Sequence, residues 1–127
     1  MSILKAQSNE QLANHLHNEK TGIWNDWVVT TAFYSALHYV TGKLFPLPEG
    51  ERDFVDVQAY NSNGQFRCKE KHETIKALVY HYLTDAYDSY RWLHSQSSIA
   101  RYRDYGLRDE IADLAVQKLI DVKHQCS

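Results

Sequence analysis

The longest helical pattern in the chain runs from Trp27 to Phe45. Val29, Phe33, Ala36, Leu37, Val40 and Leu44 recur at i, i+4, i+7, i+8, i+11 and i+15, which is one face of a helix. Val28, Ala32 and Tyr39 widen that face, and no Asp, Glu, Lys or Arg occurs from Trp27 to Gly42. A helix this apolar is expected at the centre of a bundle, with other helices around it. Asn25 or Asp26 is placed to cap its start, and Pro46 to stop it.

The remaining pattern predicts three more helices. The first spans Ser8 to about Lys20, with Ser8 and Gln11 as a capping box, Leu12 and Leu16 as its apolar stripe and Gly22 as its stop. The segment from Pro46 to about Arg67 reads as a long irregular loop, pinned by apolar residues such as Phe54, Val57, Tyr60 and Phe66. A third helix begins near Lys69. Ile75, Leu78, Val79 and Tyr82 set its phase, which continues through Ala86, Tyr90 and Leu93 to about Ser95, as one rod or bent near Thr84-Asp85. Ile99 to Gly106 reads as a connection. The last helix runs from about Leu107 to Lys123, with Ile111, Leu114, Ala115, Leu119 and Val122 inward. No stretch alternates with period 2, so the fold class expected is all-α, one domain over residues 1–127. Phe33, Leu37, Val40, Ile75, Leu78, Val79, Leu114 and Leu119 are the predicted core.

Charge and cysteine content narrow the setting. A formal net charge of −2 sets up no global basic field of the kind that announces nucleic acid, though a local patch is compatible with it. Cys68 and Cys126 show neither CxxC spacing nor a disulfide framework, as suits a reducing cytosol. The N-terminal residues have no sustained apolar run, and Trp27 to Gly42 is too short to span a bilayer, so a cytoplasmic protein with no membrane contact is expected.

The chemistry-bearing residues are few. Neither Glu-x-x-His nor His-Glu-x-x-His occurs, so no metal and no other cofactor is expected. Cys68 lies between Arg67 and Lys69, an arrangement that lowers a thiol pKa, but no partner base is legible. Two polar features stand out. Thr30, Tyr34, His38 and Thr41 form a polar stripe on the central helix, either the wall of a pocket or hydrogen bonding at a helix contact. Arg91-Trp92 and the run Arg101-Tyr102-Arg103-Asp104-Tyr105, with Arg108, set arginine beside aromatics, a pairing that can hold phosphates and stack bases. Arg101, Tyr102, Arg103, Tyr34 and His38 are therefore the candidate ligand-binding residues.

The run Asp26-Trp-Val-Val-Thr-Thr-Ala-Phe-Tyr-Ser-Ala-Leu-His-Tyr-Val40 resembles the signature helix of HEPN-like domains. The later order is similar too: Lys71-His72-Glu73 opening a helix, then Tyr87 to Leu93, then Ala100-Arg101-Tyr102, then an amphipathic last helix. The resemblance implies an up-and-down bundle of four or five helices, commonly a homodimer. It also implies binding or cleavage of RNA, or nucleotide binding, in prokaryotic defence, stress or toxin–antitoxin systems. The partner would then be RNA, a nucleotide, or a cognate antitoxin or nucleotidyltransferase-type protein. Active members are metal-independent ribonucleases with arginine followed four to six residues later by histidine, near the start of the last helix. This chain departs from that pattern, because no histidine follows Arg101, Arg103 or Arg108 at that distance. Arg67 and His72 have the spacing but precede the third helix. The expected function is non-catalytic binding of RNA, a nucleotide or a protein partner. The alternatives are a metal-independent ribonuclease using His72 as general base and Arg67 on the phosphate, and a structural adaptor.

Overall fold

The computed structural model describes residues 2–102 and 106–127. It contains α1 (Ser2–Asn18), α2 (Asn25–Leu44), a hairpin of β1 (Leu47–Glu49) and β2 (Arg52–Phe54), α3 (Val57–Asn63), α4 (Lys71–Tyr82), a 3-10 turn (Thr84–Ala86), α5 (Tyr87–Tyr102) and α6 (Asp109–Gln125). The described residues are thus mostly helical, with one small two-stranded sheet. Among them, no helix is long and apolar enough to cross a membrane.

α2 is the central helix its composition calls for. It touches α1, α4, α5 and α6, and eleven of its residues are buried. Val29, Phe33, Ala36 and Val40 are fully enclosed, joined by Leu78 and Val79 of α4, Leu93 of α5 and Leu119 of α6. Two of the eight predicted core residues differ. Leu37 is only half-buried, on the edge of a groove, and Leu114 is 44% exposed, because α6 turns Ala112, Ala115, Leu119 and Val122 inward instead.

α1 starts at Ser2, so Ser8 lies inside the helix and forms no capping box. Its buried face is Ala6 and Ala13, seven residues apart, and Leu12 is exposed. The physical reason is close approach: the Ser35 hydroxyl of α2 donates to the Ala6 carbonyl at 2.7 Å, and small side chains allow that where leucine would hold the helices apart. At the head of α2, neither Asn25 nor Asp26 caps the helix; Trp24 holds the cap position with no side-chain hydrogen bond. Both polar side chains reach across to the chain before α6. Asn25 donates to the Leu107 carbonyl at 3.0 Å and to Asp109 at 2.8 Å, and Asp26 accepts from the Leu107 amide at 2.8 Å.

The stretch expected to be irregular is largely structured. Leu47 pairs with Phe54 and Glu49 with Arg52, and Gly50 takes the positive φ of +64° that a two-residue hairpin loop needs. Three-residue strands are too short to show alternation, which is why the pattern hid them. Asp56 caps α3 through the Ala59 amide. Tyr60 of α3 then organises the segment: its ring stands 5.0 Å from Phe54, and its hydroxyl donates to Glu49 at 2.7 Å and accepts from the Phe66 amide at 2.9 Å. A Cβ on Gly64 would run into the Tyr60 ring, so glycine is required there.

The predicted third helix is two. It breaks at Leu83 and restarts at Tyr87, and the Thr84 hydroxyl caps back to the Tyr80 carbonyl at 3.0 Å. α5 then continues through the serine-rich stretch to Tyr102, where a connection from Ile99 was expected. The serines are tolerated because the buried Ser97 hydroxyl is satisfied inside the helix, by the His94 carbonyl at 2.9 Å.

Candidate functional site

The end of α5 meets the outer face of α2. Arg101 is held there by two hydrogen bonds, from Nε to the Ser97 carbonyl at 3.2 Å and from Nη1 to the Tyr34 hydroxyl at 2.8 Å. Its guanidinium lies 5.6 Å from the Tyr34 ring centroid and 5.2 Å from that of Tyr102. Among the described residues no carboxylate forms an ion pair with it, and its remaining donors have no partner. Among the described residues, Arg101 is thus an oriented cation with donors to spare.

A hollow of about 240 Å³ beside it is lined by Asp26, Trp27, Thr30, Ala100 and Arg101. Trp27, in the wall of that hollow, is 58% exposed, and Tyr102, against the guanidinium, is 77% exposed. The bonds from Asn25 and Asp26 to Leu107 and Asp109 fix the far side of this corner.

Two imidazoles pair within range of the same arginine's charge. His72 on α4 and His94 on α5 stack with ring centroids 5.5 Å apart and planes 28° from parallel. Both rest against Phe33, at 5.9 and 5.2 Å. His72 Nδ1 is buried with no hydrogen-bond partner. Burial comes first in holding both imidazoles below their ordinary pKa, with the positive charge of Arg101 adding to it at His72 and that of Lys76 at His94. Glu70 and Glu73 push the other way at His72, and Glu73 does so at His94. Glu73 is itself paired with Lys76 at 3.1 Å. At neutral pH both rings are neutral, so each can donate one hydrogen bond and accept another.

The candidate residues read from sequence thus divide. Arg101, Tyr34 and Tyr102 come together, and Arg103 lies outside the described residues. His38 lines a different groove, with Lys5, and burial followed by the Lys5 charge lowers its pKa. The polar stripe on α2 is therefore split: Thr30 and Tyr34 face the arginine corner, while His38 and Thr41 face that groove. Arg67 spends Nη1 on the Gly64 carbonyl at 2.9 Å and is not among the charges acting on His72; Arg101 is. Cys68 is exposed and its Sγ points to the Phe66 carbonyl, with no histidine beside it in the bonding pattern. Sequence reasoning missed His94 and Trp27. The seven-residue spacing of His94 and Arg101, which places both on one helix face, was the available signal. No cluster of three or more metal-ligating side chains occurs among the described residues.

No family model matches the chain, and neither the curated proteins nor the solved structures contain a significant match.

Proposed function

We propose that the chain is a HEPN-like helical bundle that binds single-stranded RNA or a nucleotide at the Arg101 corner. The observation that carries this reading is the guanidinium fixed by the Tyr34 hydroxyl against the exposed Tyr102 ring, on the wall of a hollow that Trp27 also lines. An arginine held in one orientation contacts a phosphate without first losing side-chain freedom, and flanking aromatics stack bases of any sequence. A setting in prokaryotic defence or toxin–antitoxin systems belongs to the same proposal and rests on the sequence resemblance alone. So does a homodimer, for which Leu114 and Ile120, left exposed on α6, supply apolar surface; light scattering at high micromolar concentration tests it.

A second reading, metal-independent RNA cleavage, is favoured by the His72–His94 pair beside Arg101. One neutral imidazole would take the ribose 2′-hydroxyl proton as that oxygen bonds to phosphorus and the P–O5′ bond breaks, the imidazolium so formed or water returning a proton to the leaving 5′-oxygen while the arginine holds the phosphate. A labelled single-stranded RNA incubated with the purified chain in EDTA separates the readings. Binding without cleavage, weakened about tenfold in Arg101→Gln, supports the first. Cleavage lost in both His72→Ala and Arg101→Gln establishes the second. No binding at all by the unmodified chain leaves an adaptor that contacts protein partners.

A further inference from the structure

A groove lies between the first turn of α1, the C-terminal half of α2, the segment after the hairpin and Ile75 of α4. It shares no lining residue with the Arg101 corner. Its volume of about 780 Å³ suits a small organic molecule. The walls are mainly apolar, with Leu37, Phe45, Val57 and Ile75 among them and Val55, 70% exposed, the most open of its large hydrophobic residues.

The polar side chains around it differ in what they have left to offer. Thr41 spends its hydroxyl on the Leu37 carbonyl at 2.9 Å. Asp56 spends its carboxylate on the cap of α3, accepting from Ala59 at 2.9 Å. Lys5 and His38 have no side-chain hydrogen bond or ion pair among the described residues, and the Lys5 ammonium is near enough to act on the imidazole charge. The groove is therefore mainly apolar along its walls, and among the described residues Lys5 and His38 supply a cation and an imidazole with no side-chain partner on its α1–α2 side.

The geometry points to a second binding site in this groove, for a small amphipathic carboxylate whose apolar body lies against Leu37, Phe45, Val57 and Ile75 and whose carboxylate meets Lys5 and His38. Lys5 supplies the charge and His38 an N–H donor, a charge-assisted pair of contacts. Asp56, already engaged at the other wall, disfavours a second anionic end there, so the ligand carries one. A cationic amphiphile meets Lys5 with like charge at this end and binds more weakly than the carboxylate.

The test uses the full chain, labelled with ¹⁵N, titrated with octanoate, hexanoate and octylamine. Octanoate is expected to saturate, shifting the amides of Leu37, Phe45, Val57 and Ile75, and to bind about tenfold more tightly than hexanoate because two more methylenes are buried. Lys5→Glu is expected to weaken octanoate by about threefold or more and to admit octylamine. Val55→Asp sets an acid at an exposed rim position, where it does not threaten folding, and is expected to weaken octanoate while leaving octylamine no weaker than with the unmodified chain. Shifts elsewhere on the chain, equal binding of octanoate and octylamine, or no saturable binding each overturn the proposal. None of these outcomes bears on RNA binding at Arg101, which the same samples report separately.

Discussion

The Tyr34 hydroxyl and the Arg101 guanidinium, 67 residues apart in sequence, are joined by one hydrogen bond of 2.8 Å. That bond is what turns a flexible surface arginine into an oriented one. Replacing Tyr34 by phenylalanine removes the acceptor and keeps the ring. Tyr34→Phe is expected to cost about 1 kcal/mol of stability and to weaken RNA binding less than Arg101→Gln does. The double variant should bind no more weakly than Arg101→Gln alone, since the tether matters only through the cation. Additive losses measured by fluorescence anisotropy would show that Tyr34 acts on the ligand directly.

The histidine pair makes stability depend on pH in one direction. Both imidazoles are held below their ordinary pKa in the folded chain, so the unfolded chain binds protons that the folded chain refuses. Their contribution is fully present above the unfolded value of about 6.5 and is lost as pH falls below it toward the folded values. His38 adds to the same trend. Urea midpoints measured across this window should therefore fall with acidification, and the double variant His72→Gln, His94→Gln should flatten the profile. An unchanged slope in that variant would assign the dependence to other groups.

Phe33 supports both imidazoles and sits at the centre of the core with no exposed surface. Phe33→Ala is expected to destabilise the chain by about 3–5 kcal/mol. Leu114→Ala, at a half-open position, should change the stability of the monomer, measured at low protein concentration, by no more than about 0.5 kcal/mol, as for surface sites generally. Equal losses in the two variants, read by denaturant titration, would mean that α6 packs on a different face.

Tyr60 ties the hairpin to the approach to α4 through Glu49 and the Phe66 amide. Burial foremost, opposed by the Phe66 amide and aided by the Glu49 hydrogen bond, pushes its phenol up to about 12. Tyr60→Phe leaves two partly buried partners short of a hydrogen bond and should cost about 1–2 kcal/mol. Gly64→Ala should be at least as damaging, because its methyl group meets the Tyr60 ring. Hydrogen exchange should show faster opening of residues 47–66 in both variants; no change would break the link between Tyr60 and the hairpin.

The sequence by itself determined the helical class and the central place of α2, because sustained period and absent charge act within one segment and need no partner to be read. It also marked Arg101, Tyr34 and Tyr102 by residue type. Only the tertiary structure decided which of these meet. His94 and Trp27 join the arginine corner while His38 leaves it, because a helix of 3.6 residues per turn points stripe neighbours at different partners once other helices pack around it. The tertiary structure likewise exposed Leu12 and buried Ala6 and Ala13, since the distance between two backbones, set here by the Ser35–Ala6 bond, is not a property of either segment alone. The hairpin and α3 were illegible for a related reason: their few residues carry too little pattern, and they are held by Tyr60, whose partners lie eleven residues before it and six after.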